Sequence, residues 1–546
     1  MNLKMYNTMT KKMEALVPAN PKKVLFYSCG PTVYDDAHIG NFRSFLAADL
    51  LRRWIESPLC TLKNSDDSLH SAPRTVVQIM NITDVGHMTD DENADGGGQD
   101  KMEVAAERIL EAKKTGKIPH NAGVDQSDPF TIARYYEARF KKDAIQLGLK
   151  VAIDDRDRDS ETPTFMPRAT DNIENMIIVI EQLLADGFAY PAGEPGARAI
   201  YFDVQRFEQY GQLSGNSIEH LKGGAGGRTS TSNTQQKNHP ADFLLWKEDA
   251  SHKMKWPSPI IPNLAEDEQW GQGYPGWHIE CTAMALARLA TDGLKGARKN
   301  HAQIDIHSGG EDNIFPHHEC EIAQSCCFTG NDSFARHWFH PRFLKVEGQK
   351  MSKSKGTMYT LGDLTAKGID PAAIRLELIK THYRANADFS MQGLKDSART
   401  VERWRKFVDA GAQAGAGTTD ESVRDGVAKA MHDDLNIAGA LGIINKWIKD
   451  TPNPTQADAA LFKVFDGFLS VLSLKQLEQA SSNSGIALYQ PGVTPSEEIE
   501  SLLIARRDAK ASKDWAAADT IRDQLKAMGL SIMDKPAGQV EVAPIN

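Results

Sequence analysis

The segment "AHIGN" (37–41) carries residue types that suit phosphate chemistry. It lies where a β-rich run ends and a helical pattern begins, and backbone N–H groups at a helix N-terminus attract anions. Gly40 lets a phosphate approach the backbone closely, and His38 can donate a hydrogen bond to a phosphoryl oxygen as charge builds up on it. Taken alone, the pattern also fits a turn glycine beside a surface histidine.

A second segment, "QKMSKSKG" (349–356), brings three lysines, two serines and a glycine together. Lysines on a loop suit a polyphosphate, because they neutralise the charge of a leaving group as it departs. Taken alone, this segment also fits a solvated basic loop.

Two cysteines, a histidine and a glutamate form a candidate metal-binding set. His317 and Glu321 are four residues apart, so on a helix their side chains project from one face. With Cys29 and Cys281 they offer two thiolates, an imidazole and a carboxylate, which suit Zn²⁺. Cys29 is too far away in the chain for spacing to assign it, and a buried cysteine or a helical His–Glu pair is more often structural. The residues alone therefore leave the metal site open.

The chain has 546 residues, of which 40% are hydrophobic and 25% charged, as in soluble globular proteins. This length favours three or four domains. No segment resembles a signal peptide or a transmembrane helix, so we expect a cytoplasmic protein. In that reducing compartment the six cysteines are thiols or metal ligands rather than a disulfide framework. The net charge of −10 argues against a protein that coats nucleic acid by bulk charge.

The hydrophobic pattern predicts an α/β front half followed by helices. A strand at 22–30, a helix at 40–56 and a strand at 74–84 predict a right-handed βαβ unit on a parallel sheet. A further strand, followed by a glycine turn, is expected at 302–312. Helices are predicted over 102–147, 170–186, most of 370–480 and, as a hairpin, 495–529, before a β-like tail at 538–542.

Together, the two phosphate-type segments resemble the signatures of class I aminoacyl-tRNA synthetases, usually written HIGH and KMSKS. KMSKS matches at all five positions, 350–354, and HIGH matches at three, with Asn41 in place of the last histidine. The successive blocks "CGPTVYDDAHIGN", "NITD", "PGWHIEC", "GGEDNIFPHHE" and "KMSKSKG" resemble the cysteinyl-tRNA synthetase family. "DDLNIAGAL" (433–441) and the segment at 506–529 extend this resemblance over nearly the whole chain.

The resemblance implies an α/β fold, in which a Rossmann-like parallel-sheet catalytic domain with insertions is followed by a helical anticodon-binding bundle and a small C-terminal domain. The expected domains are 1–130 (first half of the catalytic domain), 131–264 (connective insertion), 265–345 (second half), 346–395 (KMSKS loop and stem-contact region), 396–485 (bundle) and 486–546 (small domain). Three stretches longer than the family connections are expected to be surface insertions: 56–74, 222–238 and 291–303.

The resemblance also implies the site residues. The expected ligands of one zinc ion per chain are Cys29, Cys281, His317 and Glu321. The expected catalytic residues are His38, Asn41, Lys350 and Lys353. The expected ATP contacts are His38, Gly40, Asn41, Lys353 and, on the ribose, Asp312. The expected lining of the cysteine pocket is Thr83 and Trp277, while His307 and His318 lie near these blocks and fit a structural role equally well.

The implied activity is ATP-dependent ligation of L-cysteine to its cognate tRNA through a cysteinyl-adenylate. Zn²⁺ would select the substrate thiol and Mg²⁺ would accompany ATP. The expected partners are tRNA(Cys), ATP and L-cysteine, with no membrane partner, and the chain is expected to be a monomer. Arg403, Trp404 and Arg405 are candidates for basic and aromatic contacts to the anticodon, or members of an ordinary amphipathic helix.

Three alternatives stay open at this point. A ligase that joins activated cysteine to an amino sugar, as in the mycothiol pathway, would share the zinc and nucleotide blocks but lack an anticodon module. A tRNA-binding regulatory paralogue would have a dead active site, for which Asn41 is weak support. A zinc-stabilised scaffold would hold a closed metal that does not respond to cysteine.

Overall fold

The computed structural model of the chain describes most of its residues, in two compact units, Met1–Val471 and Leu472–Asn546. Within the described ranges, no helix combines the length and apolar character that crossing a bilayer requires. The described residues are 1–86, 88–90, 97–115, 124–218, 237–351, 357–474, 487–489, 493, 496–511, 514–534 and 540–544.

The predicted βαβ unit is present at the front of the first unit. The elements up to residue 100 are β1 (Lys4–Asn7), β2 (Lys12–Ala15), β3 (Lys23–Ser28), α1 (Ile39–Glu56), β4 (Thr61–Lys63), β5 (Leu69–Ser71), β6 (Thr75–Met80), β7 (Met88–Asp90) and β8 (Gly97–Asp100). β3 pairs in parallel with β6, and α1 is the crossover helix between them. Because both faces of such a sheet are covered, its strands are apolar almost throughout, as the "KVLFYS" of β3 is.

An antiparallel sheet and several helices follow. The elements are α2 (Lys101–Lys114), α3 (Pro129–Gln146), α4 (Lys150–Asp157), α5 (Ile173–Ala185), β9 (Ala189–Ala192), β10 (Ala199–Phe202), β11 (Phe243–Glu248), β12 (Trp256–Pro257), β13 (Gln272–Pro275), α6 (Trp277–Leu289) and α7 (Gly293–Lys299). Five of these strands form one sheet in the order β12-β13-β11-β10-β9. The sheet spans the expected domain boundary at 264, and that boundary stays a prediction.

The parallel sheet is completed by two later strands, in the order β15-β14-β3-β6. The remaining elements of the first unit are β14 (Ile304–Ser308), α8 (His317–Thr329), β15 (Ala335–Phe339), β16 (Leu344–Val346), β17 (Gln349–Lys350), α9 (Leu361–Thr365), α10 (Pro371–Ile379), β18 (Ala387–Phe389), α11 (Met391–Gln413), α12 (Glu421–His432), α13 (Ile437–Asp450) and α14 (Gln456–Leu469). The carboxyl ends of the four parallel strands meet at one edge, where ligands bind in open α/β sheets. The mixed α/β fold with a parallel sheet and a helical C-terminal region confirms the expected fold class.

Helices α11 to α14 pack around aromatic side chains. Trp404 is fully buried, its ring meets that of Phe462 at 5.4 Å between centroids, and its indole N–H donates to Asn445 Oδ1. Arg405 pairs with Asp370. Of the two alternatives for Trp404, the structure therefore favours an ordinary buried position on an amphipathic helix, because no face of this ring reaches solvent.

The second unit is a helical hairpin on a small sheet. Its elements are β19 (Ala487–Tyr489), α15 (Glu497–Ala511), α16 (Trp515–Ala527), β20 (Leu530–Asp534) and β21 (Val540–Pro544). Apolar residues of both helices and two strands form its core, including Leu503, Leu525 and Val542. The hairpin and the β-like tail predicted from the sequence are both present.

The expected insertions take different forms. Residues 56–74 contain the β4–β5 hairpin, and residues 291–303 contain α7. Of the stretch 222–238, all but its last two residues lie outside the described residues.

Candidate metal centre and nucleotide site

Four donors from distant parts of the chain converge at the carboxyl edge of the parallel sheet. Cys29 directly follows β3, Cys281 lies on α6, and His317 and Glu321 lie one turn apart at the start of α8. All four residues are buried, and their ligand atoms all lie within 4.8 Å of one another. The structure therefore brings together the residues that were expected to hold zinc, and their role as ligands stays a prediction.

The spacing of these donor atoms suits one tetrahedral ion. Sγ of Cys29 lies 3.9 Å from Sγ of Cys281 and 3.7 Å from Oε1 of Glu321. Nε2 of His317 lies 3.0 Å from the same Oε1. Zinc bonds of about 2.0–2.3 Å in a tetrahedron place the donors about 3.3–3.8 Å apart. Since zinc also prefers thiolate, imidazole and carboxylate ligands, the residues present fit this ion.

The donors shift one another's protonation. Burial by itself raises the pKa of Glu321, but the charges of His307 and His317 outweigh it and hold that pKa at about 2. Burial also raises the pKa of Cys281, while the hydrogen bond from Cys29 and the charge of His317 bring that pKa down to about 7. Glu321 is thus ionised at neutral pH and Cys281 is close to ionising, as metal ligands must be.

Histidines outside the predicted ligand set hold two of the ligands in place. His278 Nδ1 lies 2.9 Å from His317 Nδ1, and His307 Nε2 lies 2.8 Å from Glu321 Oε2. Outer contacts of this kind commonly orient metal ligands. Sequence reasoning missed His278, although it stands three residues before Cys281, on the same side of α6.

A second donor set overlaps the first. Cys29, His307, His318 and Glu321 also offer atoms within 4.8 Å of one another. His318 Nε2 lies 3.2 Å from Cys29 Sγ, and its Nδ1 lies 2.7 Å from His340 Nε2. Because the two sets share a cysteine and a glutamate, an ion in one excludes an ion in the other. His340 was missed too, although it directly follows β15 as Cys29 follows β3.

The two residues expected to line a cysteine pocket lie at the ends of neighbouring elements. Trp277 begins α6 and stacks on His317, with ring centroids 4.3 Å apart. Thr83 lies shortly after β6 and is buried, and its Oγ1 accepts a hydrogen bond from Asn81. Its backbone N–H donates to Pro31 O at 3.0 Å, which ties it to the loop after Cys29.

The start of α1 is closed by a reciprocal cap. His38 Nδ1 accepts from the backbone N–H groups of Gly40 and Asn41 at 3.1 and 3.2 Å. Asn41 Oδ1 accepts from the His38 backbone N–H at 3.1 Å. Because Nδ1 is an acceptor here, neutral His38 carries its proton on Nε2. The Asn41 oxygen is likewise committed to the cap, which leaves its NH₂ group as the donor of that side chain.

The residues on either side of 352–356 lie against the same helix start. A Cβ atom on Gly40 would lie 2.0 Å from Met351 Cε, so any larger residue here would require the end of this methionine side chain to move. On the far side, Tyr359 O accepts from the backbone N–H of Ile39 at 2.9 Å. Lys353 lies outside the described residues, and Lys350 is placed by its backbone at the end of β17.

The loop after β14 runs between the metal cluster and α1. A Cβ atom on Gly309 would lie 2.7 Å from His318 Cε1, so this loop needs glycine to pass the cluster. The Cβ position of Gly310 lies 3.6 Å from Ser44 Oγ on α1. Asp312, expected to contact the ATP ribose, is an exposed residue of the short 3₁₀ turn Glu311–Ile314 that follows.

Two family descriptions match this chain. "tRNA synthetases class I (C) catalytic domain" matches residues 15–67 and 99–399, and "Cysteinyl-tRNA ligase anticodon binding domain" matches residues 495–540. The second match falls on the unit that was expected to be the small C-terminal domain.

Curated relatives and solved structures agree with these matches. Cysteine–tRNA ligase of Salinibacter ruber is 35% identical over 98% of this chain and 97% of its own. The Thermus thermophilus enzyme of the same name is 34% identical over 98% of each chain. The LeuRS–tRNA–LeuAMS complex of Agrobacterium radiobacter superposes with a TM-score of 0.52 and 11% identity, covering 96% of both chains, and shows the same fold. The chain therefore belongs to the cysteine–tRNA ligase family of class I tRNA synthetases.

Proposed function

We propose that the chain ligates L-cysteine to tRNA(Cys) in two steps, through a cysteinyl-adenylate, with one zinc ion selecting the substrate thiol. The observation that carries this proposal is the convergence of Cys29, Cys281, His317 and Glu321 beside a capped helix start. The relatives named cysteine–tRNA ligase support the class of reaction.

In the first step, a carboxylate oxygen of cysteine attacks the α-phosphorus of ATP, and the bond to the bridging oxygen breaks as pyrophosphate leaves. The Nε2–H of His38 and the NH₂ of Asn41 would donate to the α-phosphate, where charge builds up, and the dipole of α1 would stabilise that charge. Gly40 lets the phosphate approach the backbone. Lys350 and Lys353 would neutralise the leaving group, with Mg²⁺ accompanying ATP.

Selection of cysteine over serine depends on sulfur. When bound, zinc would supply a thiophilic Lewis acid, for which a thiol is a good ligand and a neutral hydroxyl a poor one. The four donors hold the ion at the sheet edge, while Trp277 and Thr83 would line the pocket around the substrate. Packing alone separates such near-isosteres by only about 1–3 kcal/mol. Binding of the substrate sulfur to the metal would therefore account for a stronger preference for cysteine over serine.

In the second step, the terminal ribose hydroxyl of the tRNA attacks the adenylate carbonyl, and AMP leaves. Two regions are candidates for reading the anticodon, the helical bundle at 396–485 and the unit matched at 495–540. Trp404 in the first is buried, whereas Trp515 in the second is 60% exposed and begins α16. Because unstacked bases are read on aromatic faces, we propose that Trp515 contributes to this contact.

The test is cysteine-dependent exchange of pyrophosphate with ATP, measured across the common amino acids with zinc present. We expect exchange with cysteine and almost none with serine. Cys281→Ser should lose both bound zinc and exchange, whereas Cys327→Ser should keep both, because Cys327 is half-buried on α8 outside either donor set. Absence of exchange in the zinc-loaded wild-type protein would favour the regulatory alternative instead.

A further inference from the structure

Tyr27 lies in the wall of the metal cluster. It stands on β3 two residues before Cys29, and alternate residues of a strand face the same side of a sheet. It is fully buried, and its ring meets that of His307 edge-on, with centroids 5.3 Å apart. Because His307 contacts Glu321, the tyrosine ring borders the same pocket as the four donors.

The hydroxyl of Tyr27 is buried and makes no hydrogen bond of acceptable geometry among the described residues. A buried hydroxyl without a partner is unfavourable, and a phenylalanine would fill the same space without that cost. The polar groups whose charges reach the hydroxyl are Cys281 first, then Cys29 and Glu321. Of these three groups, only Cys281 also lies within side-chain hydrogen-bonding reach of the hydroxyl, so its sulfur is the acceptor that we assign to it.

We propose that the Tyr27 hydroxyl donates a hydrogen bond to Cys281 Sγ once a metal ion is held by the four donors, and so acts as a positioning residue for that ligand. The proposal rests on the proposed function in that it needs a metal at this site. In the metal-free protein, Cys281 Sγ accepts from the Cys29 thiol, with the sulfurs 3.9 Å apart. Metal binding displaces the thiol protons, so this contact is lost and Cys281 becomes a thiolate that accepts from Tyr27 instead.

Such a bond changes measurable properties of the Cys281 thiolate. It draws electron density from the sulfur, and this raises the energy of charge transfer from sulfur to a bound transition metal. It also increases the affinity of the site for the metal ion, since loss of a hydrogen bond to a metal ligand typically weakens metal affinity by about 10–100-fold. In the metal-free protein the hydroxyl makes no hydrogen bond of acceptable geometry among the described residues, so we expect its removal to leave that form at least as stable.

The experiment compares Tyr27→Phe with the wild-type protein, using Co²⁺ as the probe in place of zinc. We expect the thiolate-to-cobalt absorption to move to longer wavelength and the Kd for Co²⁺ to rise about 10-fold. We also expect the metal-free Tm to stay equal or rise, while the gain in Tm on loading becomes smaller. Tyr210→Phe is the matched control, because this buried hydroxyl lies 3.4 Å from the sulfur of Cys320, which belongs to neither donor set.

Three results would overturn the proposal. An unchanged cobalt spectrum and Kd in Tyr27→Phe would show that the hydroxyl does not reach the ligand sulfur. A lower metal-free Tm, or failure of this variant to fold, would show that the hydroxyl already has a structural partner. If Tyr210→Phe shifted the spectrum equally, the effect would not be specific to Cys281. By contrast, absence of a thiolate–cobalt band in the wild-type protein would remove the metal assignment itself, which is a failure of the proposed function.

Discussion

The reciprocal cap on α1 allows the structural and chemical roles of Asn41 to be separated by two substitutions. Its Oδ1 accepts from the His38 backbone N–H at 3.1 Å, and its NH₂ is the group proposed to face the α-phosphate. Asn41→Asp keeps the acceptor and adds a negative charge in the first helical turn, which stabilises a helix by about 0.3–1 kcal/mol. Asn41→Ala loses the acceptor and with it about 0.5–1.5 kcal/mol.

Activity should change differently from stability in these variants. Both lose the NH₂ donor, and removal of one donor to a transition-state charge costs about 10²–10³-fold in rate. The carboxylate of Asn41→Asp also repels the phosphate, so its pyrophosphate exchange should fall by at least about 100-fold. This variant is therefore expected to be more stable and less active than the wild-type protein.

Thermal unfolding and ATP–pyrophosphate exchange, measured side by side, check this expectation. The matched control is Asp420→Asn, the reverse change at the first residue of another cap, where Asp420 accepts from the backbone N–H of Ser422 at 2.9 Å. It should leave exchange unchanged. Exchange by Asn41→Asp within about threefold of wild type would refute the reasoning, because Asn41 would then be a cap and nothing more.

Three further predictions concern other parts of the chain. Burial, and then the charge of Asp36, raise the pKa of Asp143 to about 6. The folded protein therefore binds the proton of this carboxyl more tightly than the unfolded chain does, and the free energy of unfolding falls as the pH rises from about 4 to about 6. Asp143→Asn should remove that slope and stabilise the protein at neutral pH by at most about 3 kcal/mol, as measured by urea unfolding at several pH values. Arg375→Met should lower the free energy of unfolding by about 3–5 kcal/mol in the same assay, because it leaves the buried Asp49 carboxylate without one of its cations. A decrease below about 1 kcal/mol would contradict this. Trp515→Ala should leave ATP–pyrophosphate exchange unchanged and lower kcat/KM for tRNA charging by the equivalent of about 1–3 kcal/mol. Unchanged charging would exclude a stacking role for Trp515.

The parallel sheet and its strand ends could be predicted from the sequence. Buried strands are continuous apolar runs that stop at a glycine or a polar residue, and this placed Cys29 after β3 correctly. The pairing of Cys281 with Cys29 was predicted from the family resemblance and not from spacing. The two cysteines lie on elements whose packing against each other cannot be predicted from the local sequence pattern. His278 and His340 were missed for the same reason. The antiparallel sheet was missed because its strands are short and β10 and β11 are far apart in the chain.

The sequence contains a pattern that distinguishes the two alternatives for Trp404. Leu394, Val401, Trp404 and Phe407 recur every three to seven residues along α11, which is the spacing of a buried helical stripe. The neighbouring arginines drew attention to RNA, but residues adjacent in a helix point in different directions. The periodicity of the helix therefore decides the orientation of Trp404, and the charge of its neighbours does not.

Helix α1 spans the distance between the proposed nucleotide site and the helical region. Its 18 residues are about 27 Å long, beginning at the cap formed by His38. At the other end, Trp54 packs edge-on against Phe468 and Asp49 is held by Arg375, which also donates to Leu469 O. Because the helix is this long, a tilt of about two degrees about the end that packs against the helical region displaces the capped end by about 1 Å. Misplacement on that scale can cost about 100-fold in rate, so repacking of helices far from the proposed nucleotide site would slow the proposed adenylate formation without changing any reacting group.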